Sequence, residues 1–268
     1  MATRSWLISS PLTETLPARP HLRVQLVGGN VEVSGHDGGD IVVEVLDIAG
    51  NPLEVVLDDA MVALGYPSIG WEGWVKRLTS FRSSDVCRVK VRVPRGTRVS
   101  LATAAAGIAV SDLGADATLH SAAGIIYTTG IVGKVTARTF SGAVTLDRQD
   151  GPVTVQSASG VVSVQGSSAH VGISTGSGAV NLRSSSPTSA ITVSTISGDL
   201  DVTLPQTGLV LTARTVSGAV DVDGTSRRTS SGPAVVSVDE RTAPSACWLT
   251  TNTVSGALRV HRVGSDSM

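Results

Sequence analysis

The sequence predicts an all-β protein: a single-domain parallel β-solenoid, β-helix-like, of about eight or more coils of 17–20 residues, with a less regular N-terminal head. Three observations predict it. The 268 residues are 41% hydrophobic but only 3% aromatic, with 29 glycines, and the apolar supply of Val, Ala, Leu and Ile suits thin, pleated, half-buried layers. Apolar and polar residues alternate with a period of two, the mark of strands. A pair of small residues also returns at a nearly constant step, the mark of a stacked repeat.

In chain order, residues 1–19 read as an N-terminal extension. Residues 20–98 read as an irregular N-terminal β part with an aromatic loop at 60–85. There Leu22, Val24 and Leu26, then Gly29-Asn30-Val31-Glu32-Val33, set a two-strand rhythm. Ile41, Val43 and Val45 add a strand, Leu53, Val55 and Leu57 another, and Val89, Val91 and Val93 lead through Pro94-Arg95-Gly96 to the first regular coil.

Residues 99–262 carry the regular repeats, with an insertion at 224–246 and a tail at 263–268. The pair is Ala105-Ala106, Ala123-Gly124, Ser141-Gly142, Ser159-Gly160, Ser177-Gly178, Ser197-Gly198, Ser217-Gly218 and Ser255-Gly256. The steps are 18, 18, 18, 18, 20, 20 and 38 residues. Counted from the second member, positions two and four later are apolar, as in Val144/Leu146, Val180/Leu182 and Leu258/Val260. The repeat at 124 is expected to slip by one, turning Ile125 and Tyr127 inward. Positions seven and five earlier are apolar too, as in Val153/Val155 and Ile191/Val193. The third position earlier is always a hydroxyl: Thr103, Ser121, Thr139, Ser157, Thr175, Thr195, Thr215 and Thr253. Stacking puts like residues about 4.8 Å apart, so these hydroxyls are expected to form a ladder beside corners that glycine turns. Helical repeats would show a period of 3.6, and a β-sandwich would not repeat the same slots at a fixed step.

The run Val27-Gly28-Gly29-Asn30-Val31-Glu32-Val33, the run Val89-Lys90-Val91-Arg92-Val93-Pro94-Arg95-Gly96-Thr97 and the train of Ser-Gly-x-Val/Leu-x-Val/Leu units resemble the bacterial "putative adhesin" β-strand-repeat family, a domain of unknown function. The likeness covers residues 20 to 262. It implies a non-enzymatic repeat protein with no catalytic residues to carry over.

The formal charge of −1 gives no broad electrostatic footprint for nucleic acid. No stretch approaches the roughly 18 apolar residues of a membrane span, and Trp6-Leu7-Ile8 is too short for the core of a signal peptide. A cytoplasmic location is therefore expected, with the cell surface reached only by a non-standard route. Cys87 and Cys247 read as reduced structural thiols. Scattered histidines and the absence of phosphate-loop or metal-ligand motifs predict no cofactor.

Three features offer sites. Gly172-Ile173-Ser174-Thr175-Gly176 matches the G-x-S-x-G nucleophile elbow, but that device needs a strand, a strained turn and a helix, whereas Ile173 and Thr175 fill ordinary repeat slots. Outward positions give Asp201 and Asp221, weak metal candidates, because stacked carboxylates repel unless a hard cation intervenes. Arg259 would also relieve them if the insertion leaves it next in the stack. Tyr66, Trp71, Trp74, Arg77 and Phe81 hold four of the eight aromatics and form a candidate partner-binding patch or an end cap.

The expected function is a non-enzymatic scaffold or adhesin-like binding protein for a protein or surface polymer. The alternatives are a polysaccharide-active enzyme of β-helix type and a structural protein that self-assembles through solenoid ends. Coils reaching Val260 direct that last idea to the C-terminal end.

Overall fold

In the computed structural model, which describes residues 3–66, 85–228, 232–241 and 245–264, the chain is almost wholly β-strand and forms two compact units, Met1–Lys134 and Val135–Met268. The first contains β1 (Arg4–Ile8), β2 (Leu12–Pro17), β3 (His21–Leu26), β4 (Gly28–His36), β5 (Asp40–Ala49), β6 (Leu53–Leu57), β7 (Met61–Gly65), β8 (Val86–Pro94), β9 (Arg98–Thr103), β10 (Gly107–Ser111), β11 (Ala117–Ser121) and β12 (Ile126–Thr129). They lie in two sheets, ordered β1-β6-β7-β3-β9-β11 and β2-β5-β8-β4-β10-β12.

The second unit contains β13 (Val135–Ser141), β14 (Val144–Gln149), β15 (Val153–Ser159), β16 (Val162–Gly166), β17 (His170–Ser177), β18 (Val180–Ser184), β19 (Ser189–Ser197), β20 (Leu200–Pro205), β21 (Gly208–Ser217), β22 (Val220–Val222), β23 (Thr225–Arg228), β24 (Ala234–Glu240), β25 (Ala246–Ser255) and β26 (Leu258–Val263). Its sheets run β13-β15-β17-β19-β25-β21-β24 and β14-β16-β18-β20-β26-β22-β23. Consecutive strands form one coil, with one strand in each sheet. Coils stack in parallel and in register, so Val135 meets Val153, Val153 meets Val171, and Val171 meets Ile191.

The inward slots read from the sequence are the buried ones: Val99, Leu119, Val144, Leu182, Ile191, Val202 and Leu258 are all nearly inaccessible. Each such Val or Leu contributes about 1.5–3 kcal/mol when fully buried. The expected slip at 124 does not occur. Ile126 and Thr128 pair with Ile108 and Val110 and are fully buried, which turns Ile125 and Tyr127 outward. A one-residue slip would break the parallel hydrogen-bond ladder over the whole strand, and that outweighs two apolar side chains.

The hydroxyls also behave differently from a ladder. Thr103 and Ser121 lie 3.2 Å apart, but Ser157, Thr175 and Thr253 instead donate to the carbonyls of Ser159, Ser177 and Ser255 two residues on, at 3.1–3.3 Å. Like rotamers stacked at about 4.8 Å are beyond the roughly 2.8 Å reach of a hydroxyl bond, so most of these hydroxyls bind their own corner. Between coils the corner is joined by backbone: Gly160 N–H donates to the Ser177 carbonyl and Gly178 N–H to the Ser197 carbonyl, each at 3.2 Å. Glycine is required there. At Gly178 φ is +126°, and an added Cβ would lie 2.1 Å from the Gly160 oxygen.

Chain order and spatial order diverge within both units. Coil β3–β4 packs directly on β9–β10, and the other side of β3–β4 takes β7 and β8. Val89–Val93 therefore do not lead spatially into the first regular coil. Residues 4–17, within the N-terminal extension, form two strands, β1 and β2, antiparallel to β6 and β5. In the second unit β25–β26 lies between β19–β20 and β21–β22. The coil reaching Val260 is thus internal. The unit ends instead on antiparallel β23 and β24, which the inserted segment supplies. There the buried Arg228 guanidinium donates to the carbonyls of Thr215, Val216 and Gly218 at 3.2–3.5 Å, and also to Gly232.

Candidate ligand groove on the second unit

Strand alternation on β17, β19, β25 and β21 turns two rows of side chains outward. The first is Ser174, Ser194, Asn252 and Arg214, aligned across the strands by register. The second, two residues further along each strand, is Gly176, Ile196, Val254 and Val216. This second row immediately precedes the Ser-Gly corners, where the outward side chain leaves the sheet with nothing above it. Ile196 is 62% exposed, and Val216 and Val254 are close to half exposed.

Pro233, Ala234 and Val235, opening the terminal strand β24 beside Arg214 and Thr215, raise a wall along these rows. The result is an open groove of about 720 Å³ whose floor is apolar and whose flank carries hydroxyls, an amide and one guanidinium. Among the described residues no carboxylate lines it and Arg214 has no ion-pair partner. A second hollow, of about 370 Å³, lies at the opposite corner and is lined by Arg148, Gln165, Arg183, Ser185 and other polar groups.

The groove contains Ser174, but not in a nucleophile elbow. It sits in the middle of the extended strand His170–Ser177, with no helix following. His170, the histidine on that strand, is four residues away, about 13 Å in extended chain. No base lies close enough along that strand to activate the hydroxyl.

The sites expected from sequence fall elsewhere. Trp71, Trp74, Arg77 and Phe81 lie outside the described residues. Tyr66 is 4% exposed, and burial, followed by the charges of Cys87 and Asp85, raises its hydroxyl pKa. Asp201 and Asp221 are not neighbours. Arg259 stands between them in register with both and pairs with Asp199 at 3.6 Å. Among the described residues no three His, Cys, Asp or Glu side chains converge as metal ligands. Cys87 and Cys247 are buried free thiols, one in each unit.

The outward positions singled out by sequence, Asp201, Asp221 and Arg259, lie on the other sheet, and the groove rows lie on the outward phase of β17, β19, β25 and β21. Phe140, Ile196, Val216 and Val254 are apolar residues in outward phase, and that mismatch was the available signal.

Comparison with known proteins bears on the fold. A "putative lipid binding protein" from Parabacteroides distasonis superposes with a TM-score of 0.51 at 9% identity, over 94% of this chain and 96% of that one. A "putative adhesin" from the same organism gives a TM-score of 0.47 at 8% identity, covering 94% and 97%. Another "putative adhesin", from Bacteroides fragilis, gives 0.43 at 15% identity, covering 93% and 97%. No curated protein matches the chain. The stacked parallel coils, the Ser-Gly corners and the strand-ended units fit one family in particular: residues 21–232 match the Toastrack DUF4097 family, and the chain belongs to it.

Proposed function

We propose that the protein is a non-enzymatic binding protein of adhesin type, which holds an extended apolar segment of a protein or surface polymer in the groove of its second unit. The carrying observation is the row Ile196, Val254 and Val216, exposed side by side beneath the β24 wall. Contiguous exposed apolar surface rimmed by polar groups is the usual form of an interaction site. Arg214, which has no ion-pair partner among the described residues, suits an anionic group at the flank. A polysaccharide-active enzyme would need an acid and a base facing its cleft, and the described residues lining the groove include no acid.

A single acyl chain is the second reading, since the apolar row Ile196, Val254 and Val216 runs without a polar break for two strand spacings, about 10 Å. A structural neighbour described as lipid binding agrees with it.

The test uses the anionic apolar dye 8-anilinonaphthalene-1-sulfonate, a decanoate competitor and an acidic amphipathic peptide competitor. Ile196→Asp with Val254→Asp should weaken dye binding by more than about tenfold, as expected from losing two apolar contacts, with the melting temperature unchanged because both side chains point outward. Equal dye binding by the variant would remove the groove from consideration. The competitor that displaces the dye distinguishes the peptide reading from the acyl one.

A further inference from the structure

The coil β25–β26 follows β21–β22 in the chain yet lies inside it in space, wedged in parallel register between that coil and β19–β20. We propose that this coil is exchangeable between molecules: the slot between β19–β20 and β21–β22 accepts the same coil from a second copy of the chain, joining two copies in a reciprocal dimer. This goes beyond the ligand groove and does not rest on it.

The first support is the length of the connections. The step from Gly178 to Gly198 is 20 residues and reaches the adjacent coil. The step from Gly198 to Gly218 is also 20 residues but reaches past one coil to the next. Only Gln206 and Thr207 separate β20 from β21, whereas four residues separate β18 from β19. A link that spans two coil spacings also spans one, so β21–β22 can close onto β19–β20 when the wedged coil is out.

The two walls of the slot also match each other. Ile191 and Leu211 both face Leu249, Ser197 and Ser217 both face Ser255, and Leu200 and Val220 both face Leu258. Closing the slot would pair like slots with like, as at every other coil step. A molecule with its coil out therefore does not keep two raw sheet edges.

Charge is what favours the filled slot. Asp201 and Asp221 both register with Arg259, and closure would set those carboxylates about 4.8 Å apart with no cation between them. Arg262 of the same coil adds a grip outside the slot, pairing with Asp223 and with Glu240 at 2.7 Å. An identical coil from a second molecule brings both arginines with it. The contacts in the dimer are those of the monomer, so protein concentration sets the balance between them.

The test uses the full-length chain with Cys87→Ala and Cys247→Ala. Thr212→Cys is placed in one sample and Thr250→Cys in another, since these positions face each other across β21 and β25. The samples are mixed at high concentration near the unfolding midpoint, returned to buffer and oxidised. Expected is a disulfide-linked dimer at least about tenfold above a control mixture of Thr136→Cys and Thr154→Cys, which face each other across coils that are consecutive in the chain; their Cα spacing of about 4.8 Å permits a disulfide in either case. Unsubstituted chain in two isotopic masses, treated alike, should give mixed dimers by native mass spectrometry. Failure of either result overturns the proposal. Arg259→Asp should speed the mixing about tenfold by adding a third carboxylate to the stack, and Asp201→Asn with Asp221→Asn should reverse that; an unchanged rate overturns the part assigned to charge.

Discussion

Arg228 shows how much one side chain can carry at the end of a stack. Its guanidinium meets carbonyls of the last parallel coil that have no further coil to bond. Arg228→Ala should cost about 1–3 kcal/mol, the penalty for stranding buried acceptors, read as a lower urea midpoint with an unchanged slope. Arg228→Lys should recover only part, because an ammonium lacks the planar fork. Cys87 offers a second measurement. Burial, aided by Asp47, pushes its thiol up to about 11 from an ordinary 9.0. The folded state thus favours the neutral thiol. Its contribution is fully present below pH 9 and is lost as pH rises from there through 11. Stability of Cys87→Ala should lack that component of the alkaline decline when followed by denaturant titration across this range.

The corner glycines act on whole elements. Gly178→Ala would drive a methyl into the Gly160 carbonyl at a φ that L-residues avoid, and should destabilise by about 1–3 kcal/mol. Gly39→Ala, with nothing within 4 Å of its added Cβ, should be close to neutral, so paired thermal melts separate corner strain from a general loss of glycine. The elements themselves were legible at this level. Alternation and the fixed step located the strands, because inward slots admit little besides Val, Leu and Ile. At the repeat at 124 the sequence points the wrong way, because Ile125 and Tyr127 look like better core residues than Ile126 and Thr128, whereas the ladder's register prevails over composition. The groove depends on Pro233–Val235 standing beside Arg214. That wall is created by pairing between distant segments, which no local pattern encodes.

At the scale of the whole molecule, the order of the coils was not legible, and the repeat is the reason. When every coil offers the same slots, any coil fits beside any other, and only connections and charges such as Arg259 between Asp201 and Asp221 choose among the arrangements. Non-local pairing of this kind is slow to form. Pulse-labelled hydrogen exchange during refolding should show amides of 246–263 gaining protection later than those of 135–184. Protection of 246–263 in step with 135–184 would mean that the wedged coil enters without waiting for its neighbours. The interleaving also sets a schedule for biosynthesis. At roughly 5–20 residues per second, residues 223–263 leave the ribosome about 2–8 s after Val222. For that interval the nascent chain holds both walls of the slot without the coil that fills it, and anything that slows translation across 223–245 lengthens the time in which a neighbouring polysome's product could supply the coil instead.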